Sequence, residues 1–316
     1  MVSAASVMTP PAARKRRRRG VRTLSRMDIV VLALMVGVPL IGVGFFIWFP
    51  TVATIALSFT NWNGIGGMKS IHAAGVQNYV QAATNYPPFW PAVRHNVLWL
   101  IVFLVFASPL GMLFAVVLDR NLRGGRIYQS LLFLPVMLSL ALIGIIWELI
   151  YSPNYGLLNN VIGHAGTHNL IDWLGNPNLN LWAVLVEACW QQAPYVMVLY
   201  LAGLKAVDPT LREAALVDGA NAWQTFWRVV FPVLRLINIV ILVITVIQSL
   251  RAFDLVYITN GGNNGLELLS VLITRNIVGQ VSRIGFGSAM GVILLVISLV
   301  PIVSFLVQQL RQEKRA

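Results

Sequence analysis

The sequence predicts an all-α integral membrane protein with six membrane-spanning helices. Of its 316 residues, 57% are hydrophobic and only 11% are charged, whereas soluble domains carry about 25% charged residues. The apolar residues also fall in blocks of about 20, the length that crosses a hydrocarbon core ~30 Å thick. These observations exclude a soluble enzyme or binding domain and place the core of the fold in lipid.

Six apolar stretches define the predicted spans. They are about Ile29–Pro50, Asn96–Leu118, Tyr128–Tyr151, Leu181–Leu204, Val233–Phe253 and Phe286–Val307. We expect a membrane domain over residues 29–310, preceded by a basic tail over residues 1–28 and followed by a short tail over residues 311–316. The first stretch also resembles a signal peptide, but it is longer than a typical signal and no small-residue cleavage motif follows it. We therefore interpret it as a retained span.

The 23 Lys and Arg residues are distributed unevenly along a chain of net charge +12. Eight precede the first span, and six spans place 18 on one side of the membrane and five on the other. The five are Lys69, Arg94, Arg251, Arg275 and Arg283. Because cytoplasmic segments are enriched in Lys and Arg, both termini are expected in the cytoplasm. The basic tail is interpreted as a segment held near anionic lipid, and nucleic-acid binding is not expected of so hydrophobic a chain.

The segment between spans four and five predicts a short helix, a turn and a second short helix. Asp208 is a suitable N-cap and Pro209 fits the first helical position, where no amide donor is needed. Gly219 can adopt the left-handed conformation that ends a helix. Asn221 and Gln224 have the spacing of a capping box that starts the next helix.

Three aromatic residues recur at helical spacing on the second short helix. Trp223, Phe226, Trp227 and Val230 follow the pattern i, i+3, i+4, i+7 and therefore share one face. One interpretation is that this face packs against the ends of the protein's own spans or lies in the membrane interface. The other is that it docks a partner subunit.

The loop over residues 206–232, with the two residues that follow it, carries a recognisable signature. Its residues are Glu213, Ala214, Ala215, Asp218, Gly219, Ala220, Phe226, Val229, Pro232 and Leu234. This pattern resembles the EAA loop of permease subunits in bacterial binding-protein-dependent ABC importers. Further matches are Asn78, Tyr79, Phe89, Trp90, Asn96, Phe133, Leu134, Pro135, Ser139, Trp147, the run 201–204, the run 253–257, Thr259, Gly261 and Gly262. The sequence departs at Leu236, where many sugar permeases have a second proline.

The resemblance implies a type I ABC importer permease fold in which this loop contains a coupling helix seated in a cleft of an ATPase subunit. It implies that Glu213 accepts a charge-assisted contact from the ATPase, that Gly219 allows the tight turn, and that Trp223, Phe226 and Trp227 fill the cleft. Taken alone, without the motif, Glu213 would be interpreted as a solvated helix carboxylate. The implied partners are a second homologous permease, two ATP-binding subunits and an extracytoplasmic solute-binding protein.

The sequence lacks the motifs of an enzyme. No lysine lies in a G-x-x-x-x-G-K-[ST] phosphate loop, so ATP and Mg are expected on a partner chain and no cofactor is expected in this one. His164 and His168 stand four apart, but no H-E-x-x-H glutamate accompanies them, and a metal site is not expected. A G-x-S-x-G nucleophile motif is also missing.

Polar residues within the spans are candidates for a solute pathway, because charged groups are rare in lipid unless they have a function. The candidates are Glu148, Glu187, Trp190, Gln191, Tyr195, Arg251, Asp254 and Tyr257. On span four a carboxylate, an amide and an indole share one face, a mixture suited to a sugar. The alternatives are that Arg251 and Asp254 pair with each other and that Glu187 bonds a neighbouring span.

The resemblance is to the carbohydrate branch, similar to maltose and glycerol-phosphate permeases, and within it to the first permease partner. The Arg-rich tail resembles actinobacterial relatives. We therefore expect a permease that moves a sugar or sugar-like solute across the cytoplasmic membrane by alternating access. The rival hypotheses are an ion-coupled secondary transporter, which should show inverted repeats, and a membrane enzyme acting on lipid-linked substrates, which should show clustered acidic or His residues at one membrane face.

Overall fold

The computed structural model describes residues 25–120, 123–164, 169–279 and 282–313, and this part of the chain is helical apart from turns and loops. Its strand content is one isolated bridge between Thr60 and Ala73. The helices are α1 Arg26–Leu57, α2 Gln77–Asn85, α3 Phe89–Asp119, α4 Gly125–Met137, α5 Leu140–Tyr151, α6 Leu157–Val161, α7 Asn180–Ala206, α8 Pro209–Val217, α9 Ala222–Thr225, α10 Arg235–Leu250, α11 Asp254–Asn260, α12 Leu269–Val278 and α13 Ile284–Glu313. The predicted all-α fold is confirmed.

The chain divides into two units, with the division between Val52 and Ala53. The described part of the first unit is the beginning of α1, which is capped by Ser25 and contains a π-helical turn at Gly44–Trp48. None of its residues from Arg26 to Val43 is buried. The second unit contains all the other helices.

Four helical segments in the described residues are long and apolar enough to cross a membrane. They are Arg26–Leu57, Phe89–Asp119, Arg235–Asn260, which joins α10 and α11 across a break at residues 251–253, and Ile284–Ser304. Each is at least 21 residues long, and 21 residues of α-helix extend over about 30 Å. These segments correspond to the predicted first, second, fifth and sixth spans.

The predicted third span is not one continuous helix. The structure breaks the stretch Tyr128–Tyr151 into α4 and α5, which are bent by 97°. Pro135 lacks the amide that would bond one turn back, Leu138 is extended, and the Ser139 side chain accepts a hydrogen bond from the Leu142 amide to cap α5. The bend therefore has a local cause, since α4 ends in extended backbone and a new cap starts α5.

The predicted fourth span is α7, and it is the most enclosed helix of the second unit. It is 27 residues long, and more than half of these are buried. Its buried residues include three polar side chains, those of Asn180, Glu187 and Gln192. A Cβ atom added to Gly111 of α3 would lie 2.5 Å from the Ala193 carbonyl oxygen of α7, so these two helices approach each other closely.

Two residues of the resemblance have structural roles. The Asn78 side-chain amide donates to the carbonyl oxygens of Ser58 and Thr60, each at 2.8 Å, and so holds the chain that follows α1. The Asn96 side-chain oxygen accepts a hydrogen bond from the Leu269 amide at 3.0 Å. Because Leu269 is the first residue of α12, Asn96 caps that helix from α3.

Candidate functional sites

The loop between α7 and α10 begins with the predicted helix cap. The Asp208 side chain accepts a hydrogen bond from the Thr210 amide at 2.9 Å, and Pro209 occupies the first position of α8. This hydrogen bond lowers the pKa of the Asp208 carboxyl, because it favours the charged form. The predicted start of the loop helix is confirmed.

The predicted turn between α8 and α9 is also confirmed. Gly219 has a φ of +78°, a left-handed conformation that side-chain-bearing residues adopt at a cost. The Ala220 amide bonds the Ala215 carbonyl at 3.0 Å and the Gly219 amide bonds that of Leu216 at 3.1 Å, the pattern of a Schellman motif. Asn221 and Gln224 then form a reciprocal capping box at 2.8 and 3.0 Å, which starts α9.

The aromatic stripe is divided between two environments. Trp223 is 71% exposed and Trp227 is 37% exposed, with their rings 5.5 Å apart. Phe226 is half-buried, and Val230 is buried in an apolar cluster that includes Tyr200, Leu201 and Leu204 of α7. The aromatic rings are in contact, since Trp227 lies 5.5 Å from Trp223 and 5.2 Å from Phe226, and the segment Phe226–Val230 forms a π-helical turn. The Val230 end of the stripe packs within the protein, whereas docking of a partner by the exposed Trp223 end stays a prediction.

The remaining signature residues lie mostly on the loop surface. Ala215 is buried, whereas the exposed members are Glu213, Ala214, Asp218, Gly219 and Pro232. Leu216 and Val217 are exposed beside them, Val217 to 88%. The structure therefore places three exposed acidic residues, Asp208, Glu213 and Asp218, together with two indoles and apolar side chains on one loop, a composition suited to contact with another protein.

An ion pair that the sequence did not reveal joins this loop to α3. The Arg212 guanidinium donates to the Asp119 carboxylate at 2.7 Å and to the Leu204 carbonyl at 3.2 Å. Asp119 is the last residue of α3, so Arg212 links α8 to the ends of two long helices. The sequence did contain one signal for this ion pair: Asp119 is a lone acidic residue at the end of an apolar stretch.

A cavity of about 290 Å³ lies where α3, α5 and α7 meet the break between α10 and α11. Its lining is Trp99, Phe103, Leu140, Gln191, Gln192, Gln248, Arg251, Ala252, Phe253, Asp254 and Leu255. Three predicted pathway residues, Gln191, Arg251 and Asp254, therefore line one space. Sequence reasoning missed Gln192 and Gln248, although each is an amide within an apolar stretch.

Arg251 and Asp254 do not form an ion pair within the described part of the chain. The alternative that they neutralise each other is wrong, because the chain leaves helical geometry between them. α10 ends at Leu250, Phe253 has a φ of −133°, and α11 starts only at Asp254. Both side chains are exposed and border the cavity.

The other five predicted pathway residues do not line this cavity. Glu187 is buried and accepts hydrogen bonds from the Thr259 hydroxyl of α11 at 3.4 and 3.5 Å, so the alternative of a bond to a neighbouring helix is confirmed. Trp190 packs edge-on against Trp147, and Tyr257 stacks on Phe253. Glu148 is exposed and Tyr195 is half-buried.

Two buried donors beside the cavity have no hydrogen-bond partner among the described residues. They are the indole nitrogen of Trp99 and the side-chain amide nitrogen of Gln192. Buried donors are normally paired, because leaving one unpaired costs about 1–3 kcal/mol. Both donors border the polar cavity, where a water molecule or a bound molecule could supply an acceptor. His168, the second histidine of the pair considered above, lies outside the described residues.

Residues 75–315 match the family described as binding-protein-dependent transport system inner membrane component. The chain belongs to this family. The permease is 31% identical over 272 residues to the osmoprotective compounds uptake permease protein GgtC of Synechocystis sp., covering 84% of this chain and 94% of the relative. It is 30% identical over 288 residues to the xylose/arabinose import permease protein XacH of Haloferax volcanii, covering 90% of each.

The fold of the permease also matches that of a solved transporter. The match is to a bacterial alginate ABC transporter in complex with an alginate pentasaccharide-bound periplasmic protein, with a TM-score of 0.75 and 21% identity, and it covers 88% of this chain and 93% of that one. The predicted permease fold is thus confirmed. Family membership makes the chain an inner membrane transport subunit and not an enzyme.

Proposed function

We propose that this permease carries a sugar or sugar-like solute across the cytoplasmic membrane by alternating access, driven by ATP hydrolysis in a separate subunit. The cavity at the α10–α11 break carries this proposal. Three glutamines, an arginine and an aspartate there can hydrogen-bond hydroxyl groups, and Trp99, Phe103 and Phe253 offer flat apolar surfaces. Sugars present hydroxyls and C–H faces together, so they match such a site.

The names of the relatives support the same solute class. One takes up osmoprotective compounds, another imports xylose and arabinose, and the structural neighbour was solved with a pentasaccharide-bound protein. Disaccharides, amino sugars, polyols and glycerol-phosphate compounds all present the hydroxyl groups that this cavity could bind.

We assign six spans, with both termini in the cytoplasm. The four apolar segments, the bent pair α4–α5 and the enclosed helix α7 supply the six. The distribution of 18 basic residues on one side and five on the other supports the orientation. In this topology the loop over residues 206–232 is cytoplasmic and the cavity lies toward the outer half of the membrane.

The partners in this proposal are a second homologous permease, two ATP-binding subunits that carry ATP and Mg, and an extracytoplasmic solute-binding protein. The exposed loop supports contact with an ATP-binding subunit, because Glu213, Trp223 and Trp227 are available on its surface. Closure of the ATPase would move the loop, and the Arg212–Asp119 pair would transmit this movement to α3. Trp99 and Phe103 on the same helix would then change the shape of the cavity.

The double substitution Gln191→Leu with Gln248→Leu tests the cavity. The permease complex, isolated from its native membrane and reconstituted in proteoliposomes, is assayed for uptake of labelled sugars, polyols and sugar phosphates. We expect one of these solutes to be taken up in an ATP-dependent manner. The double variant should raise its half-saturating concentration about tenfold or more, because two hydrogen-bonding groups are lost.

Gln77→Leu is the control, since Gln77 is exposed at the start of α2 and does not line the cavity. It should leave the half-saturating concentration unchanged. Uptake of amino acids but of no hydroxylated solute would contradict the proposed solute class. An unchanged half-saturating concentration in the double variant would contradict the assignment of the cavity.

A further inference from the structure

A second cavity, of about 510 Å³, lies between the ends of α3 and α7 and the beginning of α4. Its lining is Leu118, Gly124, Gly125, Arg126, Ile127, Gln129, Leu201 and Lys205. None of these residues lines the proposed solute cavity or belongs to the loop signature. Because Leu118 and Lys205 lie in the last turns of two long helices, the cavity is at the membrane boundary.

The polar part of this cavity is positively charged. Arg126 and Lys205 are exposed, and no aspartate or glutamate is among the lining residues. Neither side chain forms an ion pair with any residue that the structure describes. Two unpaired cations in one concave space attract a group with at least one negative charge.

An exposed apolar stripe continues from the cavity along α4. Ile127, Leu131 and Leu134 are 67%, 62% and 48% exposed, and their spacing of four and three residues places them on one face of the helix. Ile127 also lines the cavity. A bound molecule with a negative head and a long apolar tail would therefore meet cations first and then an apolar surface.

We propose that this cavity binds the headgroup of an anionic phospholipid, with an acyl chain lying along Ile127, Leu131 and Leu134. Basic pockets between membrane helices are general sites for such headgroups, because each Lys or Arg near the surface contributes about 1 kcal/mol of attraction to anionic lipid. A free phosphate would use the cations but not the apolar stripe, so the lipid accounts for both features.

A lipid bound at Lys205 would also affect the loop over residues 206–232. Lys205 lies three residues before Asp208, which caps α8. A headgroup held by Lys205 and Arg126 would fix the end of α7 relative to α4 where the loop begins. Anionic lipid would thereby restrain the segment that leads into the loop helix.

Native mass spectrometry of the full-length permease in detergent tests this proposal. The protein is titrated with palmitoyl-oleoyl phosphatidylglycerol and, separately, with the phosphatidylcholine of the same chains. We expect one tight phosphatidylglycerol site, which Arg126→Gln with Lys205→Gln weakens about 30-fold, the effect of losing two cationic contacts. Arg126→Lys with Lys205→Arg keeps both charges and should bind within about threefold of the original protein.

Arg120→Gln with Arg228→Gln is the control, because it removes the same charge from two exposed residues outside the cavity. Its phosphatidylglycerol affinity should stay close to that of the original protein, and circular dichroism checks that every variant is folded. Equal loss in this control, or equally tight binding of phosphatidylcholine, would overturn the proposal. Displacement of the lipid by millimolar inorganic phosphate would also overturn it and indicate a site for free anions.

Discussion

At the scale of single residues, the Arg212–Asp119 pair is the contact that connects the loop to the membrane helices. The two side chains are 34% and 15% exposed and their charged atoms are 2.7 Å apart. A second guanidinium nitrogen donates to the Leu204 carbonyl at the end of α7. One arginine therefore holds α8 against both α3 and α7.

We predict that Arg212→Ala lowers both ATP-dependent uptake and the free energy of unfolding, since it leaves the largely buried Asp119 without its partner. A double-mutant cycle with Asp119→Ala, measured by chemical denaturation of the purified protein, should give a coupling energy of about 1–2 kcal/mol. Strictly additive effects of the two substitutions would show that the pair is a surface contact without energetic importance.

Sequence reasoning succeeded for residues whose partners are near in the chain. Asp208, Gly219, Asn221 and Gln224 were assigned correctly because a cap or a turn depends on neighbours within a few positions. Asp119 was missed because its partner is 93 residues away. Local geometry fixes a cap, whereas only the folded arrangement of α3, α7 and α8 brings this ion pair together.

At the scale of elements, the loop is a pair of short helices whose relative direction depends on one left-handed residue. Gly219 joins them with a φ of +78°, and a Cβ atom there would meet nothing within 4 Å. A substitution of Gly219 would thus disfavour the left-handed backbone conformation without causing a steric clash. Any effect of such a substitution on transport would therefore come from a change in the geometry of the turn.

We predict that Gly219→Val reduces ATP-dependent uptake about tenfold or more, since a β-branched residue in this conformation carries strain of about 1–3 kcal/mol. Gly163→Val is a matched control, because Gly163 has a φ of +76° and also has open space around it. It should retain most of the uptake. If both variants transport normally, the turn does not couple ATP hydrolysis to transport.

The elements that sequence reasoning described incorrectly are those in which helical geometry is interrupted. The segment Phe226–Val230 is a π-helical turn within the predicted second loop helix, and periodicity cannot anticipate such an altered turn. The 97° bend between α4 and α5 was hidden because both helices are apolar, so hydropathy joined them into one span. Pro135 and Ser139 were available signals for that break.

At the scale of the whole molecule, α3 connects the two candidate sites. Trp99 and Phe103 border the cavity, and Asp119 at the end of the same helix binds the loop. Twenty residues of helix separate Trp99 from Asp119, a distance of about 30 Å. α7 makes a parallel connection, with Gln191 and Gln192 at the cavity and Leu204 at the loop.

The orientation of the molecule is tested by cysteine labelling in intact cells. In a Cys189→Ala background, which removes the single native thiol, we predict that Ala220→Cys resists a membrane-impermeant maleimide until the cells are opened. Tyr155→Cys, an 88% exposed position of the loop before α6, should react at once. The reverse pattern would place the 206–232 loop outside the cell and remove the basis for its contact with an ATPase.

The polarity of α7 has a consequence for how the protein is made. A helix that carries a carboxylate and several amides partitions poorly into lipid by itself, since a charged group within a span costs up to roughly 3 kcal/mol. α3 is synthesised earlier and packs against α7 at Gly111, so it can shelter α7 as that helix leaves the translocon. The hydroxyl partner of Glu187 belongs to α11 and emerges from the ribosome 72 residues later. Biogenesis of the membrane domain is therefore complete only after most of the chain has been translated.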